Sequence, residues 1–287
     1  MVYLVTKARQ VMLVSSSAAA PLATSVVDRM AQQGTAIPHL EVLPHLPATP
    51  TFDSYQIVVS SDRYLDDNAA GVVIFTSGTT ARPKGSVLRR AYIHETASAV
   101  ADAYELLPTD VLLHVLPVHH ATGIGTSFFP FLNIGACIEF RASSFDAAWV
   151  WDRFRTGGIT VFSGVPTIYL RLMWHYQQQI ASLPSAERQS YDLGAQALRS
   201  LFCGSSALQA PVQDFWTQLR GGRPILVRYG SSEVPSCIRV PASADFAALP
   251  PGSVGLTVPG VEAKISDDGE LLVKSPYMFS KLVERRR

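Results

Sequence analysis

A short segment rich in hydroxyl groups and glycine carries the strongest chemical signal in this sequence. Residues 76–85 read Thr-Ser-Gly-Thr-Thr-Ala-Arg-Pro-Lys-Gly and follow directly on the apolar run 71–74. We predict a buried strand that continues into a loop. Successive backbone N–H groups in such a loop form a concave anion site, to which hydroxyl groups and the ammonium of Lys84 add donors. This chemistry indicates a polyphosphate ligand; the alternative is a plain surface turn.

The segment differs from the common P-loop. That motif places its lysine after the second glycine, where a helix begins. Here Lys84 precedes Gly85, and Pro83 disfavours a helix through the loop. We therefore expect a different kind of phosphate-binding loop.

A second signal lies at residues 228–233, which read Arg-Tyr-Gly-Ser-Ser-Glu. The ring of Tyr229, beside a glycine-serine turn, can pack against a purine. The carboxylate of Glu233 can hold Mg²⁺. Taken alone, the same residues could form a strand-end turn with an exposed glutamate.

Together these segments resemble motifs of the adenylate-forming enzymes, which include acyl-CoA synthetases, luciferases and peptide-synthetase adenylation domains. The first resembles the family's T-S-G-T-T-G-x-P-K-G pattern, with Ala81 where the family usually has glycine. The second resembles its Y-G-x-T-E motif, with Ser232 in place of threonine. The resemblance implies ATP, Mg²⁺ and CoA as co-substrate, with Thr80 and Glu233 assisting the metal. It implies a catalytic set of Lys84, Thr80, Glu233 and His120, and nucleotide contacts from Thr76, Ser77, Gly78, Thr79, Thr80, Lys84, Tyr229, Gly230 and Ser232.

Three weaker segments follow the family order. Gly204, Ser205 and Ser206 open a segment similar to G-S-A-x-L, which implies that they bind the nucleotide and shape the acyl pocket. Residues 116–120 resemble L-P-x-x-H and imply that His120 lies near the acyl site. Residues 252–255 resemble the turn that comes next in the family.

Two arginines indicate the acid. Residues 164–172 include V-P-T-I-Y-L-R and, with the R-Y-G segment, resemble the malonyl-CoA synthetase branch. The resemblance implies that Arg171 and Arg228 bind the distal carboxylate of malonate. Planar guanidinium groups suit this role because they bind a carboxylate bidentately. The alternatives are a solvated helix residue for Arg171 and a strand-end surface charge for Arg228.

Short apolar runs alternate with segments of helical periodicity, which predicts an α/β fold with mostly parallel sheets and flanking helices. The resemblance implies the large N-terminal domain of the adenylate-forming enzymes. In parallel sheets, loops at the carboxyl ends of strands form the ligand crevice, and the hydroxyl-glycine loops fall there. We expect an α/β core over residues 1–250, a β-rich subdomain from 251 to 287 with a hairpin at 267–269, and an exposed connection over 184–191.

Composition excludes several classes. The formal net charge of the 287-residue chain is +1, which gives no reason to expect nucleic acid as a partner. No apolar stretch reaches the roughly 18 residues of a membrane span, so we expect no stable membrane insertion. Three separated cysteines indicate an intracellular compartment. We expect the cytoplasm by default, and the mitochondrion and the peroxisome are alternatives. Adjacent His119 and His120 are expected to point apart and to form no metal pair.

The resemblance implies an acid–CoA ligase of fatty acid metabolism that activates a small carboxylic acid, malonate. The alternatives are a ligase for a monocarboxylic fatty acid and an inactive nucleotide-binding homologue. Against the family pattern we expect a chain shortened at both ends, without the small C-terminal subdomain, and weak turnover from it alone. The sequence carries no signal for an oligomeric state.

Overall fold

The computed structural model describes residues 1–8, 10–42, 66–76, 83–141 and 144–283. These residues form two compact units. The smaller takes its described residues from Met1–Ala69, Phe75–Gly85 and Leu282–Arg287, and the larger from Ala70–Ile74 and Ser86–Lys281. Most of the predicted phosphate loop, residues 77–82, lies outside the described residues.

The smaller unit contains, in its described residues, a pair of parallel strands and two helices. Its elements are α1 (Val2–Lys7), β1 (Leu13–Ser16), α2 (Ala20–Gln32) and β2 (His39–Val42). Strands β1 and β2 pair in parallel. Val26 and Met30 on α2 pack with Val5 and Ile37 in a small apolar core.

The larger unit confirms the prediction of a mostly parallel sheet. After β3 (Ala70–Thr76), β4 (Lys84–Arg89) and α3 (Arg90–Ala103), seven strands form one sheet. They are β5 (Val111–His114), β6 (Cys137–Phe140), β7 (Val161–Gly164), β8 (Ser200–Cys203), β9 (Leu226–Tyr229), β10 (Ile238–Arg239) and β11 (Leu256–Thr257). Their order is β6-β5-β7-β8-β9-β10-β11, with β5 to β9 parallel and the last two antiparallel.

Helices cover both faces of this sheet, because successive strand residues point to opposite sides. Leu112 packs on the side of α3, whereas its neighbour Leu113 packs on the opposite side. The remaining helices are α4 (Ala121–Gly123), α5 (Phe129–Asn133), α6 (Ala147–Thr156), α7 (Pro166–His175), α8 (Ser185–Ala197) and α9 (Ala210–Leu219). A π-helical turn, Ile124–Phe128, joins α4 to α5, and a second one, Tyr176–Ile180, follows α7.

The core on the second face includes two fully buried tryptophans. The indole rings of Trp151 on α6 and Trp216 on α9 stack with centroids 5.5 Å apart and planes 4° apart. Both indole N–H groups donate to backbone carbonyls of α7, those of Leu172 at 2.9 Å and Tyr169 at 3.3 Å. The apolar rings are thus buried without leaving their polar N–H groups unsatisfied.

The amino ends of three neighbouring strands are joined through Asp110, which is 3% exposed and precedes β5. Its carboxylate accepts hydrogen bonds from Nε of Arg199 at 3.1 Å, the hydroxyl of Thr160 at 2.7 Å and the N–H of Leu107 at 2.8 Å. Thr160 precedes β7 and Arg199 precedes β8. Asp110 therefore links β5, β7 and β8 at the edge of the sheet where these strands begin.

Residues 184–191 are largely exposed, as expected, but the expectation of a connection is wrong, because α8 begins at Ser185. Its polar residues form the solvent side, while Gly194 and Ala195 are buried against α6. A Cβ at Gly194 would lie 2.6 Å from the carbonyl oxygen of Phe154. Small residues thus let the two helices approach closely, a signal that apolar periodicity does not reveal.

Beyond residue 250, β11 still adds to the large sheet. The hairpin predicted at residues 267–269 is confirmed: β12 (Glu262–Ile265) and β13 (Leu271–Lys274) pair antiparallel, and Gly269 has φ of 81°. Strand β14 (Lys281–Val283) joins β4 and β3 in a three-stranded sheet. In the described part of the chain, no helix has the length and apolar character needed to cross a membrane.

Candidate functional site

A cavity of about 490 Å³ opens at the carboxyl ends of the parallel strands in the larger unit. Its wall comes from the loops that follow β5, β7, β8 and β9, with Pro117, Val165, Gly204 and Gly230 as examples. This is the edge of a parallel sheet where ligands are expected. Asp110 lies at the opposite edge of the same strands.

Seven of the residues predicted from sequence line this cavity. They are His120, Gly204, Ser205, Arg228, Tyr229, Gly230 and Ser232. These residues come from three separate segments of the chain, at residue 120, residues 204–205 and residues 228–232. The geometry thus brings together segments that the sequence connected only by motif order.

Other predicted residues do not line the cavity. Ser206 and Glu233 adjoin lining residues in the chain, and Arg171 is exposed on α7 with its guanidinium 4.7 Å from the ring centroid of Phe145. Arg171 follows Ile168, which lines the cavity, by one helical turn. The pairing of Arg171 with Arg228 stays a prediction.

The phosphate-loop residues divide into two groups. Thr76 and Lys84 are in the smaller unit, where the Thr76 hydroxyl donates to the Lys84 carbonyl at 3.5 Å. Ser77, Gly78, Thr79 and Thr80 lie outside the described residues.

Arg228 is the main charged group of the cavity wall and is only 6% exposed. Its guanidinium donates to the carbonyl of Thr126 at 3.1 Å and to the hydroxyls of Ser163 at 3.1 Å and Ser127 at 3.4 Å. Among the described residues, no carboxylate forms an ion pair with it. The alternative of a surface charge is therefore wrong: this is a buried cation with neutral partners, and burial of a charge favours a compensating anion.

The loop after β9 is held in a tight turn beside the cavity. The hydroxyl of Ser231 accepts hydrogen bonds from the N–H groups of Glu233 and Val234, each at 3.2 Å. A Cβ at Gly230 would lie 2.4 Å from the backbone nitrogen of Ser236 and 2.6 Å from the carbonyl oxygen of Val234. Only glycine leaves room for this close approach.

Two serines that line the cavity have left-handed backbone conformations. Ser205 has φ of 75° and Ser236 has φ of 48°. The hydroxyl of Ser205 hydrogen-bonds that of Thr122 at 3.1 Å, whereas the buried hydroxyl of Ser236 has no hydrogen-bond partner among the residues that the structure describes. Such backbone strain costs roughly 1–3 kcal/mol per residue and concentrates at functional sites.

Sequence reasoning missed His114, which lies below the cavity wall. It is 3% exposed, its ring stacks on Phe140, and its Nε2–H donates to the carbonyl of Gly123 at 3.0 Å. Burial lowers the pKa of His114, which favours the neutral ring, although the hydrogen bond to Gly123 acts in the opposite direction. A histidine inside an apolar strand was the available signal.

The two adjacent histidines also differ from expectation. The rings of His119 and His120 lie 4.5 Å apart between centroids, so the expectation that they point apart is wrong. The chain turns here, with the N–H of His120 donating to the carbonyl of Pro117 at 3.1 Å, and side chains at a turn need not alternate. Within the described ranges, no group of three or more metal-ligating residues is present.

Sequence relatives of this chain are CoA ligases. A malonate–CoA ligase of Arabidopsis thaliana is 35% identical over 246 residues, which cover 80% of this chain and 38% of that protein. The mitochondrial malonate–CoA ligase ACSF3 of Bos taurus is 33% identical over 247 residues, which cover 83% of this chain and 41% of that protein. The chain thus spans about two fifths of the length of these curated relatives.

Solved structures agree on the fold. The crystal structure of ATP-bound MatB from Rhodopseudomonas palustris matches with a TM-score of 0.74 over 98% of this chain and 54% of that chain, at 24% identity. The family model of the AMP-binding enzymes matches residues 1–282. This chain therefore belongs to the AMP-binding enzyme family.

Proposed function

We propose that this chain forms the nucleotide- and acid-binding part of an ATP-dependent acid–CoA ligase, and that its acid is malonate. The observation that carries the proposal is the buried guanidinium of Arg228, which lines the cavity with His120 and Tyr229. A monocarboxylic acid would leave this charge without an anionic partner, whereas malonate has a second carboxylate for it. The names of the relatives from Arabidopsis thaliana and Bos taurus support malonate as the acid.

The proposed reaction has two steps. One carboxylate of the acid attacks the α-phosphorus of ATP and expels pyrophosphate, which leaves an acyl-adenylate. The thiol of CoA then attacks the acyl carbon and displaces AMP. Neither step needs a covalent bond to the protein, so the contribution of the chain is positioning and electrostatic stabilisation.

For the acid, we assign the distal carboxylate to Arg228. Its neutral partners hold the guanidinium while leaving its positive charge uncompensated. His120 belongs to the acyl part of the cavity, and Arg171 would join from the neighbouring turn of α7. Leaving one member of a buried ion pair unpaired costs about 3–5 kcal/mol, which corresponds to a preference of a hundredfold or more.

For the nucleotide, we assign the adenine to Tyr229, Gly230 and the segment 204–206. The phosphates are assigned to Thr76, Ser77, Gly78, Thr79, Thr80 and Lys84, and Ser232 is assigned to the nucleotide as well. Lys84 would neutralise charge on the departing pyrophosphate.

Mg²⁺ would be held by Glu233 and Thr80. One carboxylate and one hydroxyl fit this ion, since Mg²⁺ in nucleotide sites takes one or two protein carboxylates and completes its shell with phosphate and water. When bound, the ion supplies charge neutralisation on the phosphates.

The test is ATP–pyrophosphate exchange with malonate and with butyrate. We expect malonate-dependent exchange, and we expect Arg228→Met to reduce exchange with malonate by about a hundredfold or more while changing that with butyrate little. The matched control is Arg239→Met. Arg239 is also buried and pairs directly opposite Arg228 in the sheet, but it does not line the cavity. Its loss should lower stability and leave the ratio between the two acids unchanged.

Three results would contradict the proposal. Equal losses on both acids in Arg228→Met would remove the assignment of the distal carboxylate. Exchange with fatty acids but not malonate would favour the monocarboxylic ligase. Nucleotide binding without exchange for any acid would favour a non-catalytic homologue.

A further inference from the structure

Two buried serine hydroxyls contact the guanidinium of Arg228. Ser127 is 1% exposed and Ser163 is 2% exposed, and their Oγ atoms are 2.9 Å apart. The same nitrogen of Arg228, Nη2, donates to both hydroxyls. Neither serine lines the cavity. The pair therefore contacts the arginine without forming part of the cavity wall.

The three residues come from distant elements. Ser163 is on β7, where it follows the core residues Val161 and Phe162, and Arg228 is on β9. Ser127 belongs to the π-helical turn between α4 and α5, and the carbonyl of its neighbour Thr126 accepts from Nη1 of Arg228. π-helical turns inside α-helices are frequent at functional sites. The turn and the strand together fix both terminal nitrogens of the guanidinium.

The chemical nature of these partners matters. A buried arginine is commonly satisfied by a carboxylate, which would neutralise its charge and compete with an anionic ligand. A hydroxyl or a carbonyl satisfies the N–H groups without supplying a negative charge. Serine at both positions thus orients Arg228 and keeps its full charge available to the cavity.

We propose that Ser127 and Ser163 are positioning residues that set the preference of this site for a dicarboxylate over a monocarboxylate. The inference rests on the proposed function, because it concerns the same arginine and the same acid. An arginine side chain has several rotatable bonds, and a ligand that must order it loses affinity. With the serine pair in place, the guanidinium is already oriented when malonate enters.

Four variants test the inference by calorimetric titration of the full chain with malonate and with butyrate. Ser163→Ala and Ser127→Ala each remove a hydrogen bond to a charged group, so each should weaken malonate binding about tenfold and butyrate binding less than twofold. Ser163→Thr keeps the hydroxyl and should retain most of the malonate affinity. The matched control is Ser200→Ala, a buried serine on the adjacent β8 that is away from the cavity. It should leave the ratio of the two affinities unchanged.

A measurement without ligand separates orientation from general stability. The guanidinium N–H signals of Arg228 in a ¹⁵N–¹H spectrum are assigned by their loss in Arg228→Met. Their exchange with water should accelerate in Ser163→Ala and Ser127→Ala but not in Ser163→Thr or Ser200→Ala.

The outcomes distinguish the two proposals. If the unaltered chain prefers malonate and Arg228→Met removes that preference, but both alanine variants keep it, the positioning role is overturned and the proposed function stands. If the unaltered chain binds malonate and butyrate equally, the proposed dicarboxylate function fails, and the selectivity role of the serines fails with it. Loss of the preference in Ser200→Ala as well would also overturn the inference, since any buried serine would then have the same effect.

Discussion

Asp110 should make a large and pH-dependent contribution to stability. It is 3% exposed and joins the amino ends of β5, β7 and β8 through Arg199, Thr160 and the N–H of Leu107. Removing one member of a buried ion pair costs about 3–5 kcal/mol. The Arg199 side chain is 33% exposed and can regain water, so we expect Asp110→Asn to lower the free energy of unfolding by about 2–3 kcal/mol near neutral pH.

The pH dependence follows from the direction of the pKa shift. Burial alone would raise the pKa of Asp110, but the hydrogen bonds from Arg199, Leu107 and Thr160 outweigh it and hold the pKa below its usual 3.8. A carboxyl group with a lowered pKa in the folded state stabilises the protein above its unfolded pKa. That contribution is lost as the pH falls through the folded pKa. The difference between the unaltered chain and Asp110→Asn should therefore be constant between pH 5 and 7 and shrink below about pH 4.

Urea denaturation followed by far-ultraviolet circular dichroism at pH 7, 5 and 3.5 measures this difference. The matched control is Asp152→Asn, because Asp152 is 54% exposed in its ion pair with Arg155 and should change stability by less than about 1 kcal/mol. A difference for Asp110→Asn that stays the same down to pH 3.5, or that is no larger than the control, would refute the reasoning.

Two further predictions concern single residues. Burial raises the pKa of the Cys203 thiol to about 12. Iodoacetamide should therefore modify the exposed Cys137 first and leave Cys203 intact until the chain unfolds. Peptide mass spectrometry measures the order of modification. Early modification of Cys203 would contradict its burial. Gly230→Ala should displace the loop after β9, because its Cβ would lie 2.4 Å from the nitrogen of Ser236. It should weaken ATP binding at least tenfold in a fluorescent-nucleotide titration, and unchanged affinity would show that the loop can adjust.

The edge of the sheet that carries the cavity could be predicted from the sequence. Apolar runs that end in glycine and hydroxyl residues mark the carboxyl ends of buried strands, and such ends meet at one edge of a parallel sheet. This reasoning placed the loops at Gly204 and Gly230 together, and the family resemblance added His120 and Tyr229; the structure has all four in the cavity wall. Local sequence patterns suffice to predict this edge, because the topology of a parallel sheet brings the ends of its strands together.

The parts that could not be predicted depend on contacts between distant residues. Helix α8 has a polar sequence and is stabilised by the close approach of small residues to α6. Its sequence therefore lacks the apolar stripe by which an amphipathic helix is predicted. Strand β4 was missed because its residues Lys84 and Arg89 resemble a loop more than a strand. The role of Ser127 and Ser163 could not be predicted, because their shared hydrogen-bond partner Arg228 lies 101 and 65 positions away in the sequence.

The parallel stack of Trp151 and Trp216 has a practical consequence. Two indoles with planes 4° apart and centroids 5.5 Å apart are close enough to couple electronically, and the circular dichroism band that results depends on their relative orientation. One ring belongs to α6 and the other to α9, so the amplitude of that band reports whether these helices keep their mutual register. The circular dichroism of this tryptophan pair thus provides a label-free signal from the core. It can separate a local effect of a substitution from a loss of tertiary packing.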